Sequence, residues 1–184
     1  MYFDDFSSFV EVQGVSKGLC GKSRPIHFRG VCTVVTKLFN IVKPDRAYFG
    51  QKDAQQLAVV KRMVRDLNMD IEIVGCPIIR EEDGLAKSSR NTYLSAEERK
   101  AAVILSKSLK LGKEAIEKGE RDSKKIIDII TNNINTEKLA KIDYVEIVDP
   151  LSIENIDKIE NSALVAMAVY IGKTRLIDNF IYEV

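Results

Sequence analysis

The sequence holds no tryptophan, one histidine (His27) and three cysteines, Cys20, Cys32 and Cys76. One histidine and an odd number of irregularly spaced cysteines match no zinc pattern and no disulfide framework. The expectation is no metal site and three buried free thiols in a reducing compartment. A cysteine nucleophile paired with His27 ranks below core packing. The sequence also lacks a long apolar run and a signal peptide. A soluble, cytoplasmic protein with no membrane partner is therefore expected. An excess of one charge is missing too. The 28 Lys and Arg residues nearly balance 27 Asp and Glu, giving a net charge of +1. With no basic stripe, no nucleic-acid partner is expected, because phosphate-backbone binding needs one.

What is present is a foldable chain. At 184 residues and 45% apolar composition, it is long enough for one ordinary domain or two small ones, and too apolar for wholesale disorder. Residues Ser8 to Val12 alternate and predict a short strand. Pro25 suits the first turn of a helix. Phe28, Val31, Val34, Val35, Leu38, Ile41 and Val42 form one helical stripe, which must end before Pro44. Arg46 to Phe49 reads as a short buried strand. Asp53 is placed to cap the next helix, with Leu57, Val60, Met63, Val64 and Leu67 on its apolar face. Ile71 to Val74 follows as a strand. Strand, helix, strand at this length predicts a parallel pair.

Ser95-Ala-Glu-Glu98 is a capping-box pattern. It opens a helix predicted to reach Lys118-Gly119. A second helix fills Ser123 to Ile134, and a short helical turn falls near Glu137 to Ala140. Strands follow at Tyr144 to Val148, Ala163 to Ile171 and Arg175 to Tyr182, the last two joined by a Gly172-Lys173 hairpin. A parallel sheet needs cover on both faces. Two parallel strands and two long helices are too few for that. Another chain, or residues preceding Met1, is expected to complete it.

Two polar segments stand out. Gly50-Gln51-Lys52-Asp53-Ala54-Gln55-Gln56 follows the apolar run Ala47 to Phe49. Asp83-Gly84-Leu85-Ala86-Lys87-Ser88-Ser89-Arg90-Asn91 follows the run Ile71 to Ile79. Together they set hydroxyls, amides and fixed positive charge where a strand surfaces, as binding of a polyanion such as ATP requires. Lys52 conflicts with the helix dipole at its position, which favours anions. That conflict points to function rather than a solvated surface. Composition alone favours reading Ser88, Ser89 and Arg90 as a polar turn before the helix that Ser95 caps. Gln55 and Gln56 read as ordinary helix surface.

These two segments resemble the pantothenate synthetase (pantoate–β-alanine ligase, AMP-forming) family, as does a third, Leu19-Cys20-Gly21-Lys22-Ser23-Arg24-Pro25-Ile26-His27-Phe28-Arg29-Gly30-Val31. The likeness covers nearly all of the chain and runs from the family's middle region to its C-terminus. It implies an α/β fold: the C-terminal part of a Rossmann-like parallel nucleotidyltransferase sheet over residues 1–92, then a small α+β domain over 93–184. It also implies a cytoplasmic ligase of the coenzyme A pathway that joins (R)-pantoate to β-alanine through a pantoyl-adenylate, using ATP and Mg2+. Gly50, Gln51, Lys52, Asp53, Ile79, Lys87, Ser88, Ser89 and Arg90 would then bind ATP. Lys52, Ser88, Ser89 and Arg90 would stabilise charge on the departing pyrophosphate, and Gln56 would bind pantoate. A homodimer is the family's usual state.

The sequence departs from the family in three ways. The N-terminal half, with its His-x-Gly-His signature, has no counterpart here. The expected partner is therefore that half, and the chain alone is expected to be inactive or nearly so. Lys87 replaces the usual methionine, which either adds a phosphate-binding cation or removes a packing contact. Gln51 stands where glutamate is also common. Arg24 and His27 sit at the start of the first long helix, and His27 is given a capping or packing role. Two rivals stay open: a non-catalytic folded fragment or dimerisation module, and another adenylyltransferase on the same scaffold.

Overall fold

The apolar stripe beginning at Phe28 folds as expected into a 16-residue helix, α2 (His27–Val42), in the computed structural model, which describes residues 1–183. It is preceded by a single helical turn, α1 (Cys20–Ser23). Pro25 lies ahead of the cap residue Ile26 rather than inside the first turn. The helix stops where Lys43 turns left-handed at φ 48°, just before Pro44. Strand β1 (Arg46–Gly50), helix α3 (Ala54–Asp66) and strand β2 (Glu72–Cys76) follow. The two strands are parallel, with Arg46 opposite Glu72 and Gly50 opposite Cys76. Val59, Val60 and Met63 of α3 are fully buried. Burying each contributes about 1.5–3 kcal/mol.

Packing divides the chain into two units. One is Met1–Pro77 with Leu151–Ile153; the other is Ile78–Pro150 with the described residues from Glu154 onward. The contact boundary thus falls at Pro77/Ile78, ahead of the 92/93 position read from sequence. Segment 78–92 packs with the second unit, where Leu85 joins the core and Arg80 forms an ion pair with Asp178.

In the second unit, the predicted single helix after Ser95 is two: α4 (Ala96–Ala101) and α5 (Ile104–Glu117). The chain bends at Ala102, whose carbonyl accepts from the Leu105 N–H at 3.2 Å, one residue short of the α-helical spacing. Helix α6 (Ser123–Ile134) matches its expectation. The expected helical turn after it is a single reverse turn, closed from Ala140 N–H to Glu137 C=O. An antiparallel sheet follows in the order β3 (Ala140–Val148), β4 (Ala163–Ile171), β5 (Thr174–Tyr182). Ile171 faces Thr174 across the expected hairpin, and Gly172 takes φ 56° in it. Central β4 is buried over almost its whole length. Its residues Val165, Met167 and Val169 share a core with Leu105, Ile126 and Ile130 of α5 and α6.

Two further expectations fail. Ser8 to Val12 forms no strand. Its alternation has no ladder to join: the Val10 N–H instead donates to Thr33 Oγ1 of α2 at 3.0 Å. Strand β1 is not buried. It alternates exposed and half-buried, with Tyr48 64% exposed. With one paired neighbour and α3 as its helical layer, the strand keeps an open face. No helix among the described residues is long and apolar enough to cross a membrane.

Candidate functional site

The first group of predicted site residues sits where β1 runs into α3. Gly50 ends the strand in an ordinary extended conformation, φ −69° and ψ 132°. A side chain there would meet nothing within 4 Å. Neither backbone geometry nor packing therefore demands glycine, and the space above it is open. Gln51, Lys52 and Asp53 form one 3-10 turn leading into α3. Gln51 is half-buried, its amide end near Gly75 of β2. Lys52 is half-buried and Asp53 exposed.

Asp53 occupies the cap position of α3, yet its side chain makes no capping hydrogen bond. The expected cap is thus absent, because Asp53 takes φ −95° and ψ 56° instead of the extended conformation that aims a carboxylate at the first turn. Gln56, half-buried, lies in that turn. Gln55 is not surface, as composition had implied. It is 5% exposed, and its Nε2 donates to the carbonyls of Val15 (3.0 Å) and Gly18 (2.7 Å). No apolar periodicity marks such a tie between α3 and a distant loop, so sequence reading passes over it.

The same loop fixes Gly21, where an added Cβ would lie 1.7 Å from the Ser16 carbonyl oxygen. Backbone cannot yield as a flexible side chain does. Gly21→Ala is expected to destabilise the first unit by about 1–3 kcal/mol, read from the urea midpoint of unfolding. An unchanged midpoint would contradict the close approach.

The second group lies on a loop of the second unit. The segment from Ile79 to Lys87 doubles back like a small hairpin. Lys87 N–H donates to Ile79 C=O (2.8 Å), Glu81 N–H to Leu85 C=O (2.9 Å) and Gly84 N–H to Glu81 C=O (2.8 Å). Leu85 and Ala86 are buried and anchor it, whereas Ile79 is 65% exposed. Beyond this stem, Lys87, Ser89 and Arg90 are exposed and Ser88 is half-buried. Ser88 caps the 3-10 turn Ser89–Tyr93 by accepting from the Arg90 N–H at 3.2 Å. The polar-turn reading of Ser88 therefore holds, and its hydroxyl keeps its own proton to donate. Lys87 lines a groove of about 610 Å³ with Glu81, Glu82 and Asp83. It is a solvated cation beside carboxylates, not a buried contact.

Sequence reading missed the groups that hold this loop. Arg80 donates to both carboxylate oxygens of Asp178 (2.7 and 3.0 Å) and to the Gly84 carbonyl (3.0 Å). Asp178 is 1% exposed. Its signal was legible: strand alternation sets Asp178 on the inward face with Leu176 and Phe180. Arg99 of α4 donates to Glu81 and Asp83 at 2.7 Å each. Asn91 donates to the other oxygen of Glu81 at 2.8 Å. The Arg99 hydrogen bonds hold both carboxyls below their ordinary values, and the pair raises the guanidinium in turn. Such a contribution is complete above the unfolded carboxylate values, near pH 4–4.5, and fades as pH falls through the lower folded ones.

Of the cysteines, only Cys32 is buried, and burial pushes its thiol up to about 11. Cys20 and Cys76 are half-buried, correcting the expectation of three buried thiols. Each lies beside an open surface, one in short α1 and one at the end of β2. His27 opens α2 with its ring 5.0 Å from that of Phe28. Among the described residues, no group of three His, Cys, Asp or Glu side chains is arranged to hold a metal ion.

The family model described as pantoate-beta-alanine ligase matches residues 1–181. The chain is 73% identical over 183 residues to pantothenate synthetase of Enterococcus faecalis, covering 100% of this chain and 65% of the relative. It is 67% identical over 184 residues to that of Clostridium acetobutylicum, covering 100% and 66%. The solved pantothenate synthetase from Thermus thermophilus superposes with a TM-score of 0.93 at 42% identity, covering 98% of this chain and 65% of that one. A pantoate-beta-alanine ligase from Francisella tularensis, solved in complex with beta-gamma ATP and β-alanine, gives 0.69 at 32% identity, covering 97% and 59%. The chain spans about two thirds of the length of these curated relatives.

Proposed function

The chain belongs to the pantoate-beta-alanine ligase family, and from that premise we propose that it supplies the nucleotide grip for ATP-dependent ligation of (R)-pantoate and β-alanine. The observation that carries this reading is the open space over Gly50. It lies at the carboxyl end of a parallel strand, where α/β sheets bind their ligands. Gly50, Gln51, Asp53 and Ile79 contact adenosine. Lys52, with Ser88, Ser89 and Arg90, surrounds the phosphates, and Lys87 adds a further cation. Gln56 holds pantoate through an amide that both donates and accepts.

In the first step, a pantoate carboxylate oxygen attacks the α-phosphorus. The bond to the bridging oxygen breaks, and pyrophosphate leaves with the electron pair. Lys52, Ser88, Ser89 and Arg90 stabilise the charge that gathers there. In the second step, the β-alanine amine attacks the acyl carbon and loses a proton. The C–O bond to AMP breaks and pantothenate forms. The protein's share is alignment and charge stabilisation. Magnesium would arrive on the phosphates, which leave it needing few protein ligands.

Complete turnover belongs to this chain together with a polypeptide equivalent to the remaining third of its relatives, in a homodimer. By itself the chain is inactive or nearly so. Ile41, Val42 and Tyr48 of the first unit are each 64–65% exposed. Such apolar surface favours a covering partner, and equally a second reading in which the isolated chain is a folded, non-catalytic piece. Calorimetric titration with ATP–Mg separates these readings, with and without the corresponding segment of the Enterococcus faecalis relative. Binding only in the mixture is the expected result. Equal binding by the chain alone overturns the division of labour, and binding in neither overturns the ligase reading.

Gly50→Ala sharpens the test. Because its Cβ meets nothing, thermal stability should hold within about 0.5 kcal/mol while ATP affinity in the mixture drops on the order of tenfold. Unchanged affinity would mean that no ligand occupies the space.

A further inference from the structure

We infer that Arg99 is a positioning residue, a charged clasp that closes the stem of the 79–91 loop and so fixes the shape of its phosphate-facing tip. This inference rests on the proposed role of Ser88–Arg90. One guanidinium bridges two carboxylates. Nη1 donates to Asp83 Oδ2 at 2.7 Å, and Nη2 donates to Glu81 Oε2 at 2.7 Å and Asp83 Oδ1 at 3.1 Å. Glu81 turns its other oxygen to Asn91 Nδ2 at 2.8 Å, and Asn91 Nδ2 also reaches the Ala86 carbonyl at 3.2 Å. The two ends of the loop therefore meet at one carboxylate, leaving only Ser88 to Arg90 between fixed points.

The clasp is itself held. Arg99 sits on α4, whose start is locked by both bonds of a capping box: Glu98 N–H to Ser95 Oγ, and Ser95 N–H to the Glu98 carboxylate. The Arg99 side chain is 26% exposed, so its charge-assisted bonds are only partly screened. The local sequence then has a single physical reading. A short capped helix carries an arginine to the base of a loop that would otherwise rest on Leu85, Ala86 and the Arg80 pair. Motion over a bound polyphosphate is confined to the tip.

Two variants test the clasp. Arg99→Leu removes it. Arg99→Lys keeps a charge that cannot fork between two carboxylates. Amide hydrogen exchange is measured on the 184-residue chain. Arg99→Leu is expected to speed exchange at Gly84, Leu85 and Lys87 on the order of tenfold and to leave Val165 and Val169 of β4 unchanged. Arg99→Lys should fall between. Calorimetry on the mixture described above supplies the second readout. ATP–Mg affinity should fall on the order of tenfold while AMP, which lacks the β- and γ-phosphates, binds as before.

Unchanged exchange in the loop overturns the inference. So does a parallel rise in β4, or a common loss of ATP and AMP binding, because each would show a merely structural arginine. If the unaltered mixture binds no nucleotide, the ligase reading fails, and the exchange data alone decide whether Arg99 clasps the loop.

Discussion

Arg80→Leu lowers the stability of the second unit by about 3–5 kcal/mol, and Asp178→Asn lowers it less, by about 1–3 kcal/mol. The asymmetry follows from burial. The Asp178 side chain is 1% exposed and that of Arg80 is 34% exposed. Removing Arg80 strands a carboxylate inside the fold without its counter-ion, though the Asn179 N–H still donates to it at 2.8 Å. Removing the charge of Asp178 leaves a guanidinium that can turn toward water, and the new amide oxygen still accepts from it. Amide exchange at the slowest β4 sites measures both, since it reports the second unit without requiring the whole chain to unfold as one. Equal losses, or a neutral Arg80→Leu, would contradict the pair's role as the anchor of the loop.

Lys52→Met slows pantothenate formation in the mixture by about 10²–10³-fold. The reason is where charge appears. Little is gained by holding ground-state ATP more tightly, whereas a cation beside the departing pyrophosphate acts as the bond breaks. The fall should therefore lie mainly in kcat, with the pantoate KM nearly unchanged. Gln56→Ala should do the reverse. Combining Lys52→Met with Arg90→Ala tests whether the two units act on one phosphate tail. Residues gripping the same group are non-additive, so a coupling of at least about 0.5 kcal/mol is expected. Strict additivity would mean that the two segments serve different ligands, and the ligase reading would lose its chemical basis.

Much of the candidate site was legible because it rests on local chemistry. Gly50, Lys52 and the Ser88–Arg90 run stand out where strand periodicity stops and polar groups cluster, and the family's ordered motifs fix their register. The groups that hold the loop were not legible in the same way. Arg80 and Asp178 are 98 residues apart, and Arg99 reaches Asp83 across 16. Arg80 and Arg99 look like ordinary surface charges until the fold supplies their partners, and strand alternation marks Asp178 as inward without saying what it meets. Gln55 failed for the converse reason. Its position in a helix suggests surface, and only the Val15–Gly18 loop folding over it makes it a buried tie.

By itself, the sequence determined the helices α2, α3 and α6, the parallel pair, the Gly172-Lys173 hairpin and the family. These depend on period, caps, turns and short motifs, which act over a few residues at a time. Only the tertiary structure decided that Ser8 to Val12 joins no sheet, that the helix after Ser95 bends at Ala102, and that β1 keeps an open face. Those outcomes turn on which distant groups arrive to take a hydrogen bond or cover a surface, and a strand or a charge has no such neighbours until the chain has closed around it.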